Sequence, residues 1–542
     1  MEASRMTNPY LTLEGVSYTL PQGKTLFSHL NETFDSRRTG LVGRNGVGKS
    51  ILAQILAGQL QPSSGRCLRS GKVHYLAQQV APVSGLRVAD LAGVGPTLDA
   101  LGRIETGSSA VEDFNLIEDR WDIRQQLQEA LERNGLGHLN AETPADTLSG
   151  GQAMRVSLIN ALLSQADFLI LDEPSNHLDR DNRLALIEQL KHWPHGLLVV
   201  SHDRQLLDTM ERIVELSSLG LRSYGDNYSH YAEQKAQEHQ NALDQLEHRK
   251  LQRQRAESSM QEQRERQERR QARGNQQGKQ ANQAKILLDR QKGRSEATTG
   301  KLRQLHAASQ KQLAQRVHEA AELIDKDETI NLHALPLMPL TRQRVVELND
   351  VQLPFVPAHQ KPINLLLSAQ QRVGVIGPNG CGKSTLLKVI TGQLVPLAGS
   401  CKVVPQHVYL DQGLADLDPQ QSVLEQIQAV NRKSSEGDLR MRLAQLGLDA
   451  QKVTGPSRAL SGGERLKAAL ACVLYADPPP QLLLLDEPSN HLDLPSTLAL
   501  ESMLSSYQGT MVVVSHDDAF MSNLGLTERL EFKEDGWVLR PC

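Results

Sequence analysis

Nowhere does this 542-residue chain approach the roughly 18 consecutive apolar residues that a helix needs to cross a bilayer, which excludes a helical membrane-spanning protein. Cysteine is scarce. The five cysteines, at 67, 381, 401, 472 and 542, show neither paired metal spacing nor the density of a secreted disulfide scaffold, so a reducing compartment is expected. Met1 to Tyr10 contain no apolar core of a secretory leader, and the expectation is a cytoplasmic protein. Aromatics reach only 4%, and 59 basic against 63 acidic residues give a net charge of −4, which excludes a uniformly basic nucleic-acid binder. The length is several times that of a typical domain of about 150 residues, so two or more domains are expected.

The chain does contain a repeat. Gly43-Arg-Asn-Gly-Val-Gly-Lys49-Ser50 returns as Gly377-Pro-Asn-Gly-Cys-Gly-Lys383-Ser384. Leu148-Ser-Gly-Gly-Gln152 returns as Leu460-Ser-Gly-Gly-Glu464, and Leu171-Asp-Glu-Pro-Ser-Asn-His-Leu-Asp179 returns letter for letter at Leu485 to Asp493. Val200-Ser-His-Asp203 returns at Val514 to Asp517. From Asp172 to His202 and from Asp486 to His516 is 30 residues in both cases. Four ordered blocks at matched spacing mark a duplicated domain. One interval differs: Lys49 to Ser149 is 100 residues and Lys383 to Ser461 is 78, so the first copy carries an extra 22. The excess is expected around Asp113 to Leu131, as a small surface arm or an inert loop expansion.

The first block has the P-loop pattern between an apolar strand and a helix. Gly43, Asn45, Gly46 and Gly48, with Gly377, Asn379, Gly380 and Gly382, let backbone amides face phosphates at a helix N-terminus. Lys49 and Lys383 place a charge on those phosphates, Ser50 and Ser384 offer a hydroxyl to Mg²⁺, and Thr385 follows in the second copy where Ile51 stands in the first. The third block opens on a buried strand that lifts two carboxylates to the carboxyl edge of a sheet. Asp172 and Asp486 are the expected Mg²⁺ ligands; Glu173 and Glu487 are the expected general bases for water attack on ATP.

Leu-Ser-Gly-Gly-Gln/Glu resembles the signature of ATP-binding cassette (ABC) ATPases. That resemblance implies an α/β fold with two P-loop ABC ATPase domains that pair head to tail over two ATP molecules. It implies that Ser149, Gly150 and Gly151 complete the site of Lys383, and that Ser461, Gly462 and Gly463 complete that of Lys49. His202 and His516 are similar to the histidines that contact the γ-phosphate, and Gln78 and Gln412 to the glutamines that sense Mg²⁺ and water. Phe355 resembles the adenine-stacking aromatic; in the first copy the matching position is Leu20, with Tyr18 two residues before it.

Ser-Asn-His-Leu-Asp in both copies is similar to the Asn-His-Leu-Asp of the ABC-F branch, which has no transmembrane domain, rather than to the Ser-Ala-Leu-Asp usual in transporters. The long charged linker between the copies also looks like ABC-F. Proline is absent from Tyr231 to Asp327, where Gln, Arg, Glu, Lys and Ala favour helix. A helix from Tyr228 to Arg273 is expected, broken at Arg273 to Gly278 and again at Gly293 to Gly300, with a second helix over Lys301 to Ile324 antiparallel to the first. The expected division is residues 1–225 for the first domain, 226–340 for the coiled-coil-like linker and 341–542 for the second domain.

Arg264 to Arg303 holds 12 Lys/Arg against 4 Asp/Glu, net +8 inside a chain of −4, which is an electrostatic footprint for phosphate backbone. Candidate RNA contacts are Arg264, Arg266, Arg269, Arg270, Arg273, Lys279, Lys285, Arg290, Lys292 and Arg294, around an apolar Ile286-Leu-Leu288. The linker has no aromatic beyond Tyr231, so contact with structured RNA fits better than base stacking. The family resemblance implies a ribosome partner, through large-subunit RNA and the P-site tRNA, and a monomer whose two cassettes pair within the chain. It leaves open a housekeeping translation factor and an antibiotic-protection factor. The alternatives are the ATPase subunit of a transporter with separate membrane subunits, and a DNA-repair ATPase. The latter, like an iron–sulfur recycling factor, requires cysteine clusters that this sequence lacks.

Overall fold

The computed structural model describes residues 10–77, 85–164, 166–176, 178–280, 307–318, 344–356, 361–411, 417–448, 450–490, 492–533 and 536–542. Its contacts divide the chain into two units: Met1–Tyr228 with Glu328–Cys542, and Ser229–Asp327.

The first cassette runs β1 (Leu11–Thr19), β2 (Thr25–Phe34), β3 (Arg38–Val42), α1 (Lys49–Ala57), β4 (Ser64–Arg69), β5 (Val73–Leu76), α2 (Val88–Leu91), α3 (Gly95–Glu105), α4 (Val111–Ile117) and α5 (Ile123–Arg133). It continues through α6 (Gly150–Leu163), β6 (Phe168–Asp172), α7 (Arg180–Lys191), β7 (Gly196–Val200), α8 (Arg204–Leu207), β8 (Arg212–Ser217) and β9 (Gly220–Gly225). Next come α9 (Tyr228–Gln280), which apart from Tyr228 belongs to the linker unit, and α10 (307–318) of the same unit.

The second cassette runs β10 (Arg344–Gln352), β11 (Ile363–Ser368), β12 (Arg372–Ile376), α11 (Lys383–Ile390), β13 (Ala398–Val403), β14 (His407–Leu410), α12 (Val423–Val430), α13 (Glu436–Gln445) and α14 (Ala450–Thr454). It closes with α15 (Gly462–Leu474), β15 (Leu482–Asp486), α16 (Leu494–Ser506), β16 (Thr510–Val514), α17 (Asp518–Asn523), β17 (Glu528–Lys533) and β18 (Gly536–Pro541).

Each cassette has a six-stranded sheet, in the orders β5-β6-β7-β3-β8-β9 and β14-β15-β16-β12-β17-β18, parallel except for the antiparallel last strand. The central strands Phe168-Leu-Ile-Leu-Asp172 and Leu482-Leu-Leu-Leu-Asp486 are buried along their whole length, as expected where both faces of a parallel sheet are covered. An antiparallel three-stranded sheet, β2-β1-β4 or β11-β10-β13, stands beside each. In the first cassette Leu11, Leu13, Phe34, Leu52 and Leu56 pack it and α1 against Ile170 and Leu198 of the main sheet. A second apolar cluster joins Val88, Leu127, Leu131 and Ile159, holding the short helices on α6.

The extra residues of the first copy do not centre on Asp113 to Leu131. From Arg87, which bridges to Pro144, to the left-handed Gly135 is 48 residues; from the equivalent Ser422, which bridges to Pro456, to Gly447 is 25. The difference is taken up by α3 and α4, whereas α5 has a counterpart in α13. Residues 123–131 form a core helix common to both cassettes and so are not part of the excess. The α3–α4 pair has its own small core of Ala100, Leu101 and Ile117, and Arg103 pins it by an ion pair of 2.6 Å to Asp113.

Within the linker unit, α9 is 53 residues long, about 80 Å at 1.5 Å per residue. It passes through Gly274 and Gly278 without a break, contrary to the expected interruption at Arg273 to Gly278. Each glycine costs an established helix only about 1 kcal/mol, and the Arg/Gln-rich neighbours propagate it. Intrahelical pairs such as Arg253–Glu257, at 2.9 Å, line its exposed surface. The expected break at Gly293 to Gly300 lies outside the described residues, as do 301–306 and 319–324 of the second expected helix.

Candidate active site

The two P-loops follow the central strands β3 and β12. At Gly43 the backbone has φ 150°, and a Cβ there would lie 2.3 Å from the carbonyl oxygen of Leu216, so only glycine lets the loop turn this close to β8. Gly48 and Gly382, at φ 107° and 102°, then cap α1 and α11. Lys49 Nζ donates to the carbonyls of Gly43 (2.7 Å) and Arg44 (3.1 Å), and Lys383 Nζ to those of Gly377 (2.9 Å) and Pro378 (3.0 Å). Both lysines are buried, and burial pushes the Lys49 ammonium below the usual lysine range against the pull of Glu173, Asp493 and Asp172.

Asp172 and Asp486 end β6 and β15, and the backbone then switches to φ 50° at both Glu173 and Glu487. Such a left-handed glutamate is strained, and strain of this kind is retained where a side chain must be aimed. The Glu173 amide is held by the Val200 carbonyl (2.8 Å) and that of Glu487 by Val514 (2.9 Å). Burial lifts both glutamic acids to about 8. His202 Nε2 lies 3.5 Å from Glu173 Oε1, and His516 Nε2 lies 3.4 Å from Glu487 Oε1 and 3.2 Å from Asn379 Oδ1. Burial lowers His202 to about 3 and His516 to about 4, which keeps both rings neutral.

A divalent cation fits the carboxylates. Oδ1 of Asp172 and of Asp486 is buried with no hydrogen-bond partner among the described residues, and the Ser50 and Ser384 side chains line the same cavity. The other oxygen of each aspartate accepts from a tyrosine: Tyr75 at 3.3 Å and Tyr409 at 3.1 Å. Sequence reasoning missed these tyrosines, although each stands three residues before its glutamine, Gln78 or Gln412. Both glutamines lie outside the described residues.

Ser149 and Ser461 are N-caps with capping boxes, closed by Gln152 and Glu464, and so present α6 and α15 N-terminus first. A cavity of about 1050 Å³ is lined by Asn45, Gly46, Gly48, Lys49, Ser50, Asp172, Glu173 and His202 from one cassette, and Asn379, Gly380, Gly382, Lys383, Ser384, Thr385, Asp486, Glu487 and His516 from the other. Ser149, Gly150 and Gly151 also line it, as does Phe355, whereas Ser461, Gly462 and Gly463 do not. Phe355 is 87% exposed. Its counterpart region in the first cassette offers no ring to the cavity: Tyr18 packs beside Phe27, with ring centroids 6.3 Å apart.

The cassettes meet reciprocally. Asp493, N-cap of α16, accepts from the amide of Asn45 in the opposite P-loop at 2.8 Å, and Asp179, N-cap of α7, from that of Asn379 at 3.3 Å. Burial raises these carboxyls, but the amide and side-chain hydrogen bonds outweigh it and hold both below the usual range.

Of the basic linker candidates, Arg266, Arg269 and Arg273 are exposed on α9, the first two near Glu262 and Glu265 at 3.6 and 3.9 Å. Arg264, Arg270 and Lys279 lie in the helix backbone with their side chains outside the described set. Lys285, Arg290, Lys292, Arg294 and the Ile286–Leu288 stretch lie outside the described residues.

Two P-loops, each with its buried Asp-Glu strand end and histidine, define a tandem ATPase. The profile of the ABC transporter family matches residues 31–176 and 360–490. The chain is 31% identical over 517 residues to the energy-dependent translational throttle protein EttA of Mycobacterium tuberculosis, covering 90% of this chain and 85% of that protein. It is 30% identical over 521 residues to the ribosome protection protein VmlR of Bacillus subtilis, covering 94% and 84%, and 29% identical to ABC transporter F family member 5 of Arabidopsis thaliana, covering 92% and 71%. An archaeal ribosome recycling factor, solved with a ribosomal stalk protein, shares the fold at a TM-score of 0.57 and 19% identity, over 97% of this chain and 89% of that one. The chain belongs to the ABC-F family of tandem ATP-binding cassette ATPases, and it hydrolyses ATP. No helix among the described residues is long and apolar enough to cross a membrane.

Proposed function

We propose that this ATPase is a ribosome-binding factor whose cassettes close over ATP and open after hydrolysis. The observation that carries the reading is similarity along about nine-tenths of the chain to proteins named for translational throttling and ribosome protection. A ribosome-bound factor works in the cytoplasm, here as a monomer with its cassettes paired within the chain. Residues 1–225 and 341–542 are the cassettes, and 226–340 is a coiled-coil linker whose basic stretch contacts large-subunit RNA and the P-site tRNA.

In each site the P-loop amides and lysine hold the β- and γ-phosphates, and the opposite signature serine and glycines cap the γ-phosphate. Ser50 with Asp172, and Ser384 with Asp486, would hold Mg²⁺, which neutralises phosphate charge when bound; Gln78 and Gln412 complete that shell. Glu173 and Glu487 take a proton from the attacking water, and His202 and His516, neutral, orient it against the γ-phosphate. Closure is favoured by phosphates shared between cassettes, so loss of the γ-phosphate weakens the clamp. Phe355 stacks on the adenine of the second site only.

Sedimentation through a sucrose cushion tests the reading. The Glu173→Gln/Glu487→Gln protein is expected to pellet with ribosomes in ATP but not in ADP, less so as salt rises. Equal pelleting of this variant and wild type in ATP and ADP would reject the switch. Its absence from ribosomes, with recovery of a membrane partner, would favour the transporter-subunit alternative.

A further inference from the structure

The two cassettes align with a constant offset of 314 residues from Asp172 to His202, yet beyond the matched Asp179 and Asp493 the side chains that follow them at the shared interface are unlike. The first cassette supplies Arg180, Arg183, Ile187 and Arg204 where the second supplies Leu494, Thr497, Glu501 and Asp518. Positive charge therefore faces negative. Arg180 Nε meets Asp518 Oδ2 at 3.0 Å, and Arg204 Nη1 meets Glu501 Oε1 at 2.9 Å. Neither contact can have a pseudo-symmetric twin, because Leu494 would face Arg204 and Ile187 would face Asp518.

Arg183 has the most consequential position. Its guanidinium is buried and lies against Asp203, with Nη2 donating to Oδ1 at 2.6 Å and Nε 2.5 Å from Oδ2. The remaining Nη1 crosses to the other cassette and donates to the backbone carbonyl of His516 at 2.6 Å. Asp203 directly follows His202 and caps α8 by accepting from the Leu206 amide at 3.1 Å. One planar group thus grips the residue beside the first site's histidine and the peptide of the second site's histidine. Thr497, in the matching place, donates its hydroxyl to the Asp493 carbonyl of its own helix at 3.1 Å and is too short to make such a bridge.

We propose that Arg183 is a positioning residue for ATP hydrolysis at the second site, holding the His516 peptide in place from the first cassette, and that it makes the two sites communicate in an asymmetric manner. The inference rests on the reading of His516 as the histidine that orients water at the γ-phosphate. A rigid fork donates to carboxylate and carbonyl together, whereas an ammonium cannot reproduce that geometry. His516 Nε2 reaches Glu487 and Asn379 only while its backbone is fixed, and small misplacements of a reacting group are expensive in rate. ATP binding depends chiefly on the P-loop, so the effect falls on kcat rather than KM.

The test is made in the full chain carrying Glu173→Gln, which leaves hydrolysis to the second site. Arg183→Thr, which copies the second cassette, is expected to lower kcat by at least ~10-fold with KM changed less than about twofold, and Arg183→Lys to recover part of the loss. Arg180→Leu, which loosens the same interface without touching His516, is expected to leave kcat nearly unchanged. Should Arg183→Thr upset folding, Arg183→Lys, which retains the charge beside Asp203, carries the test with the same kcat readout. Unchanged kcat in the Arg183 variants, while His516→Ala abolishes hydrolysis, would overturn the positioning role. Equal effects of Arg183→Lys and Arg180→Leu on KM alone would overturn it too, leaving Arg183 a simple interface tie. If His516→Ala itself left hydrolysis intact, the reading of the histidine would fall first.

Discussion

The two cassettes agree in their P-loops, Asp-Glu strand ends and histidines and differ around Phe355, at α3 and α4, and along α7 and α8. Lysine, aspartate, glutamate and histidine recur at matched positions, with both glutamates at φ 50° and both carboxyls lifted to about 8 by burial. By contrast, Phe355 has no aromatic counterpart in the cavity, α3 and α4 have none among the described residues of the second cassette, and beside the reciprocal Asp179 and Asp493 contacts the first cassette offers Arg180 and Arg204 where they meet Asp518 and Glu501 of the second. Chemistry that acts on a common triphosphate constrains both copies alike. Pairing two different faces within one chain does not.

The strongest attack on this comparison is on the glutamates. Glu173→Gln or Glu487→Gln is expected to slow its own site by ~10²–10⁴-fold, as removal of a general base does, and the double variant to abolish steady-state phosphate release. Retained activity in either single variant then measures the other site. Unequal residual rates would sharpen the asymmetry argued for Arg183.

Proton linkage comes next. Both glutamates bind a proton more tightly folded, at about 8, than an exposed glutamate does, so between an unfolded value near 4.5 and about 8 the folded state holds more protons and stability falls as pH rises. Gln variants should therefore melt higher than wild type at pH 8, and the gap should close near pH 4. Calorimetry of nucleotide-free protein checks this. A gap independent of pH would mean that folding leaves both carboxyls at their ordinary affinity for protons. In the same protein kcat/KM for ATP should rise with pH towards about 8, as the base forms are populated.

Smaller effects separate the sites further. Phe355→Ala is expected to weaken ATP at the second site by ~5-fold, the scale of about 1 kcal/mol for a lost stacking contact, and to leave the first site alone; titration in each single-Gln background shows which. Arg180→Leu removes a partly exposed ion pair, worth at most about 1 kcal/mol, and should lower the salt sensitivity of closure without changing the rate of hydrolysis.

Much of the sequence's information is local, and local features were legible. Both P-loops, the buried Leu-rich strands ending in Asp-Glu and the Ser N-caps of the signature helices follow from short patterns with a physical reason. What the pattern missed depends on tertiary neighbours. Gly274 and Gly278 read as breakers, but the helix around them is long enough to absorb them. The extra residues of the first copy lie earlier in the chain than expected, because Leu127 and Leu131 of α5 belong to the core as Leu439 and Leu443 of α13 do. Tyr75 and Tyr409 look like ordinary strand residues until the fold sets them beside Asp172 and Asp486. Arg183 and Arg204 acquire meaning only when a partner more than 290 positions away is known.

Cell-free translation in the presence of the purified Glu173→Gln/Glu487→Gln protein tests the central claim most directly. With ATP present, the variant is expected to stop peptide synthesis at concentrations where wild type, able to open, does not. Undiminished synthesis at a saturating amount of the variant would contradict an ATP-gated clamp on the ribosome.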